Sequence, residues 1–353
     1  MRRCKHYQRG QMAVVMTFAM ATLLGAMALC TDVAVLYYNW VQLQKGADAA
    51  ALAGAGQYGP HTPPAPTCDW SAGSSAAQDA ACEYALKNGI KKSEIVRISA
   101  PALSLPANSY VPPGGQTVQV LVKRNDIPIY FGRVIGLSKP SASAVATAVG
   151  PTPIQTLTRG LWPVGVQYPA NLTYGASMTL SENSGTMAPG NWKWLDFPQC
   201  SPVGANAPAS YNGGGVTNLV QNISYGSTCA YSVGGSVNPE TGAKGNSTNT
   251  ATAISNLIGV PPNTPGPSAP ASPNQISMSD RQLVILPLVD WNAAKGASVA
   301  IPIMGFAAVW ITQLSGKGAS ITLTGQFVQV VDQYGRGGAS TSWGAYGAPF
   351  LVQ

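Results

Sequence analysis

Histidine and charge are what this chain has least of. Only two histidines occur in 353 residues, His6 in a basic leader and His61 in a proline-rich stretch. The remainder offers no Ser-His-Asp triad and no histidine-ligated metal site. Charged residues make up 9% of the chain, too few for a solvated helical bundle. The net charge of +7 is concentrated at one end, because Arg2, Arg3, Lys5 and Arg9 all fall in the leader. No Lys/Arg cluster with interleaved aromatics follows, which argues against nucleic-acid binding. Also missing are G-x-S-x-G, Walker A, H-E-x-x-H and C-x-x-C patterns. The glycine-rich residues 335–340 lack dinucleotide-loop spacing and read as a flexible turn. Asp196, Glu240, Asp280, Asp290 and Asp332 are dispersed without a local motif, so no paired-carboxylate site is predicted. The chain is not expected to be an enzyme, and no cofactor or metal is expected.

What stands out against this background is Met12 to Thr31, twenty residues without a formal charge. As a helix the run is about 30 Å long, the thickness of a bilayer's hydrocarbon core. With the basic leader (1–11) before it, residues 12–32 read as a single membrane anchor with the N-terminus in the cytoplasm and the rest exported. A cleaved signal peptide has the same layout, and Ala26-Met27-Ala28 is a passable cleavage site. Against it, the apolar run exceeds the usual signal core, and helical patterning continues past it. A lipoprotein signal is disfavoured because Leu29 precedes Cys30.

The helix is expected to run on as a stalk over residues 33–57. Leu36, Trp40, Leu43, Ala47, Ala50 and Gly54 recur at alternating spacings of four and three, with polar residues elsewhere around the helix. Together with Asp32 they are the candidate helix-contact residues. The change to Ala and Gly lets another backbone come close. That backbone is either a partner helix or the protein's own globular part, and the pattern leaves both open. Tyr37, Tyr38 and Trp40 lie just past the span, where amphipathic rings favour the headgroups. Asp32 is either interfacial or paired with a basic group on an assembly partner, since a carboxylate near hydrocarbon is costly.

Of six cysteines, Cys68, Cys82, Cys200 and Cys229 would be exported. Two disulfides are expected in an oxidising space, with three pairings open. Joining Cys68 to Cys82 and Cys200 to Cys229 closes the shortest loops. Free buried thiols are the alternative.

The fold class is α+β: the anchor and stalk, then a small α/β unit (58–150), then a β-rich exported region (151–353). After a linker at 57–67, a helix is predicted over 74–88, with strands at 95–105, 117–123 and 142–149. A short helix over 128–137 should pack Tyr130, Phe131, Val134 and Ile135 against them. Beyond residue 150, strands are predicted at 160–168, 282–290 and 320–331, with short helices at 216–223 and 251–258. Val299 to Leu314 reads as two buried strands joined by a bend at Pro302 and Gly305, being too short and interrupted for a second span. Six prolines in 261–275 predict an exposed, semi-rigid loop. Trp162, Trp192, Trp194, Trp291, Trp310 and Trp343 suit core or rim packing better than a sugar-binding platform.

The ordered series Arg9-Gly10, apolar span, Asp32, Tyr37, Leu43-Gln44 and Ala47 to Ala55 resembles the N-terminal signature of the TadE/TadG-like proteins of Flp pilus (tight adherence) assembly. The resemblance is dense over about 47 residues. Weaker echoes are EYALKNG, FGRVIGL, ASAVATAVGP, NWKWLDF, RQLVILPLVD and VAIPIMGFAAVWI. It implies a single-pass protein of a bacterial inner membrane whose exported region is periplasmic or extracellular. The implied role is structural, through helix-helix and exported-domain contacts. Partners would be other pilus-assembly membrane proteins or pilin subunits, besides the lipid bilayer and a second copy of itself. Longer members carry a metal-dependent adhesion domain marked by Asp-x-Ser-x-Ser, which this sequence lacks. Pseudopilin-like members are cut after a Gly with Glu five residues on; here Gly10 is followed by Val15 at that place. A processed minor pilin, or an anchored glycan-binding or hydrolytic domain, remains the alternative.

Overall fold

A computed structural model describes residues 7–60, 64–107, 109–136, 139–168, 173–181, 192–198, 200, 216–240, 247–293, 300–316, 321–338, 341 and 343–352. One helix dominates it. α1 spans Tyr7–Gly56, 50 residues and thus about 75 Å of axis. No proline interrupts it, and it stops where Gly56 leads into Gly59-Pro60. Its two halves live in different surroundings. Among the large apolar residues of the first half, Met12, Val15, Phe18, Leu23, Leu24 and Leu29 are all more than half exposed, whereas Leu43, Ala47, Ala50, Ala51 and Ala55 are fully buried.

What buries the second half is the protein's own helix-and-sheet unit. α2 (Ala76–Lys87) opens on a capping box in which the Ser75 hydroxyl and the Gln78 side chain exchange hydrogen bonds with each other's backbone amides. β1 (Ile95–Ser99), β2 (Thr117–Arg124) and β3 (Ala142–Val149) follow, all antiparallel. The fourth strand of this sheet comes from the far end of the chain: Phe350–Val352 pairs with Val149, Ala148 and Thr147 of β3. α1 and α2 cover one face, and the core between helices and sheet is mostly Ala and Val, including Ala47, Ala50, Ala81, Ala85, Val118, Val120 and Ala146, with Leu43, Ile90, Ile95 and Ile98. Such small side chains demand a close helix-sheet approach. Glycine in α1 allows it: a Cβ on Gly54 would lie 2.7 Å from the Ala77 carbonyl, and one on Gly46 2.5 Å from Ile90 Cγ1.

The described residues beyond this unit are β-rich. Their longest strand, Ile301–Ser315, pairs with Leu283–Val289 along one edge and with Thr322–Val328 along the other. Through Val164–Gln167, Trp192–Asp196 and Ser236–Pro239 the pairings return to Ile301 and Pro302, closing a circuit of five strands. Ser177–Ser181 extends the sheet beyond Thr322–Val328. Ala307, Val309 and Ile311 face one core with α3 (Val216–Tyr225) and α4 (Thr248–Ile258), while Phe306, Ala308 and Trp310 face another. Burial on both faces explains why this strand is apolar almost throughout.

Two expectations need correction. Ile301–Ser315 is a single strand: Pro302 sits in its first turn of pairing, where a missing N–H is tolerated, and Gly305 makes room for the Trp343 ring, 2.6 Å from where its Cβ would be. Residues Gly132–Ile135 form one 3-10 turn, and Tyr130 and Phe131 point outward, 63% and 49% exposed. The side chains of Val134 and Ile135, and Leu137 altogether, lie outside the described residues. The stalk face, left open in the sequence between a partner helix and the protein's own globular part, lies against the latter: residues 43–55 share one core with residues 77–148.

Candidate functional site

No cluster of catalytic chemistry stands out among the described residues. The Asp280 and Asp332 carboxylates each accept a nearby backbone amide, from Ser277 and Tyr334, and the Asp290 carboxylate does the same for Asn292. These are turn-forming bonds within three residues of sequence. Trp162, Trp194, Trp291 and Trp310 are buried, and the indoles of Trp162 and Trp310 donate to the Ile223 and Pro267 carbonyls. Trp343 packs edge-on to Tyr168. The Trp192 side chain lies outside the described residues. The proline-rich stretch is tied to this sheet as well, through the Trp310 bond and through the Ala269 amide on Gln326.

The distinctive construction lies where α1 passes from its bare half to its packed half. Asp32 is 5% exposed although its neighbours Thr31 and Val33 are open. Its carboxylate accepts three successive backbone amides: Tyr130 N–H to Oδ1 at 2.7 Å, and Phe131 and Gly132 N–H to Oδ2 at 3.0 and 2.6 Å. Charge-assisted bonds of this kind are stronger than neutral ones, and three on one carboxylate fix the turn's backbone to the helix.

Two helical turns further on a second brace appears. Asn39 Oδ1 accepts from Arg124 Nη1 at 2.9 Å, and Arg124 forms a two-pronged ion pair with Glu94, at 2.6 and 3.1 Å. Arg124 holds the Glu94 carboxyl below the usual carboxylate range, and Glu94 in turn raises the guanidinium. Gln44 continues the series, donating to Asp48 Oδ1 at 2.7 Å and to the Val145 carbonyl at 3.4 Å. Polar contacts thus tie α1 to the sheet on the side nearest the bare half.

The candidate helix-contact residues divide accordingly. Leu43, Ala47, Ala50 and Gly54 are covered by the sheet and α2, so of the two readings open in the sequence the protein's own globular part takes this face. A partner helix cannot reach these four in this fold. Leu36 is half-buried, and Trp40 is 43% exposed with its ring 5.9 Å from that of Tyr37. Asp32 meets backbone amides where a basic group on a partner had been the alternative. Cys68 is bonded to Cys82 and Cys200 to Cys229, the pairing with the shortest loops. Sequence reasoning missed the Tyr130–Gly132 amides, Arg124 and Glu94. An acceptor's backbone partners 98 residues away leave no local pattern to find.

Among the described residues a single helix, α1, is long and apolar enough to cross a membrane, and its apolar stretch is not buried within the protein. Residues 10–57 match the family model described as Flp pilus-assembly TadE/G-like, and residues 53–148 match that of Tad-like Flp pilus-assembly. The two matches meet inside the core shared by α1, α2 and the sheet. No curated protein and no solved structure is significantly similar to the chain.

Proposed function

We propose that this chain, whose residues 10–57 and 53–148 match the TadE/G-like and Tad-like Flp pilus-assembly family models, is a membrane-anchored structural component of such an assembly. The observation that carries this reading is the contrast within α1: an uncharged, uncovered first half rigidly continuous with a second half locked into a folded unit. The first half spans the cytoplasmic membrane of a bacterium, with the basic leader inside and the disulfide-bonded region outside. Helix-helix contacts then run through the bare half, away from the Phe131 groove, where no hydrophobic force distinguishes lipid from a neighbouring helix and close packing sets the approach. The exported units offer the second contact. The role is scaffolding, not catalysis.

Replacing residues 12–31 with an unrelated membrane helix separates anchoring from contact. In a strain deleted for the gene, the wild-type chain should restore surface pili, whereas the swapped chain should reach the membrane and leave pilus output low. Full output from the swapped chain would remove the helix-contact mechanism. Normal piliation in the deletion strain would remove the assembly role itself.

A second reading, a processed minor pilin, draws on the same contrast, since bare helices anchored in a folded head would also bundle in a filament. Recovery of the chain in sheared filaments, beginning at Gln11, would favour it.

A further inference from the structure

The contacts along α1 give the sheet a direction. Arg124, at the end of β2, reaches Asn39, whereas a Cβ on Gly150, just past β3, would touch the Ala55 carbonyl. The Arg124–Ala142 end therefore faces the bare half of the helix, and the Thr117–Val149 end points away from it. The connection between β2 and β3 leaves from the near end and goes further still. Its turn is bonded to Asp32, seven residues or about 10 Å before Asn39 along the axis. There Phe131 lines a groove together with Leu24, Met27 and Ala28, which lie well inside the uncharged segment.

A turn that projects this far meets two physical demands. Irregular backbone near hydrocarbon must satisfy its own polar groups, and the Asp32 carboxylate does this for three successive amides. Side chains at that level should be amphipathic or apolar, and the two that point outward are Tyr130 and Phe131, 63% and 49% exposed. On the helix itself Tyr37 and Tyr38, just beyond Asp32, are 64% and 63% exposed.

We propose that the Tyr130–Gly132 turn is a second membrane contact of the exported unit, with Tyr130 and Phe131 entering the headgroup–acyl boundary of the leaflet from which α1 emerges. Asp32 is the positioning residue that holds the turn at this depth. The occupant is phospholipid, because the Phe131 surface is continuous with the Leu24–Ala28 surface of the span. The proposal rests on the reading of Met12–Thr31 as membrane-embedded. Its consequence is that the exported unit touches the bilayer at two points and presents a fixed side to its partners.

The test uses the full chain in phospholipid nanodiscs, with Cys4→Ser and Cys30→Ser leaving only disulfide-bonded cysteines. A nitroxide attached through Phe131→Cys is compared with labels placed through Leu24→Cys and Leu103→Cys. Leu103 is 69% exposed beside the far end of the sheet, where the Ala102 amide bonds Thr117 Oγ1 at 3.0 Å. The quantity read is collision with oxygen relative to a water-soluble nickel chelate. Position 131 should give a ratio several-fold above that of 103, approaching that of 24, and adding Asp32→Ala should bring it down towards 103. A water-like ratio at 131 with a hydrocarbon ratio at 24 would overturn the membrane contact and leave the anchor standing. A water-like ratio at 24 would overturn the anchor and the contact with it. A deep label at 131 unaffected by Asp32→Ala would overturn the role given to Asp32.

Discussion

The two halves of α1 are continuous in backbone and opposite in what surrounds them. From Met12 to Thr31 the residues are uncharged, large aliphatics mixed with small residues, and almost all are exposed; from Leu43 to Ala55 they are mostly alanine and glycine, pressed against α2 and the sheet. Apolar length without a covering surface is what a bilayer requires. Small side chains with a close-approaching backbone are what a protein core requires when one helix must lie flat on a sheet. The lesson is that the halves differ in what their small residues serve: in the packed half they let a sheet and a second helix lie against the backbone, and polar Gln44, Lys45 and Asp48 stand around that seam. Between the halves stands Asp32, whose carboxylate marks the level at which the surroundings change.

The contrast can be broken most severely at Ala50. Ala50→Asp would bury an unpaired charge against the sheet and should cost about 3–5 kcal/mol, read as a shifted denaturation midpoint of the detergent-solubilised protein. Leu43→Ala should cost about 3 kcal/mol by leaving a cavity in a fully buried site. Leu24→Ala, the same chemistry in the bare half, should change the folded unit's stability by less than about 0.5 kcal/mol. Equal losses at 43 and 24 would remove the distinction between the halves.

Asp32→Ala leaves three amides without their acceptor and should cost about 1–3 kcal/mol locally. Hydrogen exchange would show faster loss of protection at residues 130–132, with β2 and β3 unchanged. The smallest effect concerns Glu94. Its carboxyl is held low by Arg124, so the folded state binds that proton less readily than the unfolded chain. The stabilisation is complete above the ordinary carboxylate value and is lost as pH falls through the lower folded value. Melting curves of the wild type and Glu94→Gln should differ by about 1 kcal/mol near neutrality and converge in acid.

Much of this was legible in the chain. The strand at 117–123 announces itself by alternation, and the apolar half of α1 by its length and lack of charge. The α1 seam of Leu43, Ala47, Ala50 and Gly54 was visible as a contact face, but a periodicity names a face and not its occupant. Long-range partners were invisible for the same reason. Nothing in Phe350-Leu351-Val352 says that it completes a sheet begun at Ile95, and nothing in Tyr130-Phe131-Gly132 says that its amides will be taken by Asp32. The tyrosine and phenylalanine of that turn were assigned to the core on hydrophobicity, whereas the backbone clamp holds them outside it.

The most direct test of the central claim is the mass of the mature chain extracted from membranes. The account predicts a membrane-bound protein that retains Met12 to Thr31, beginning at or before Gln11. A soluble chain beginning near Leu29 would contradict it, because the bare half of α1 would then be a discarded signal and not the part of the molecule that meets the bilayer.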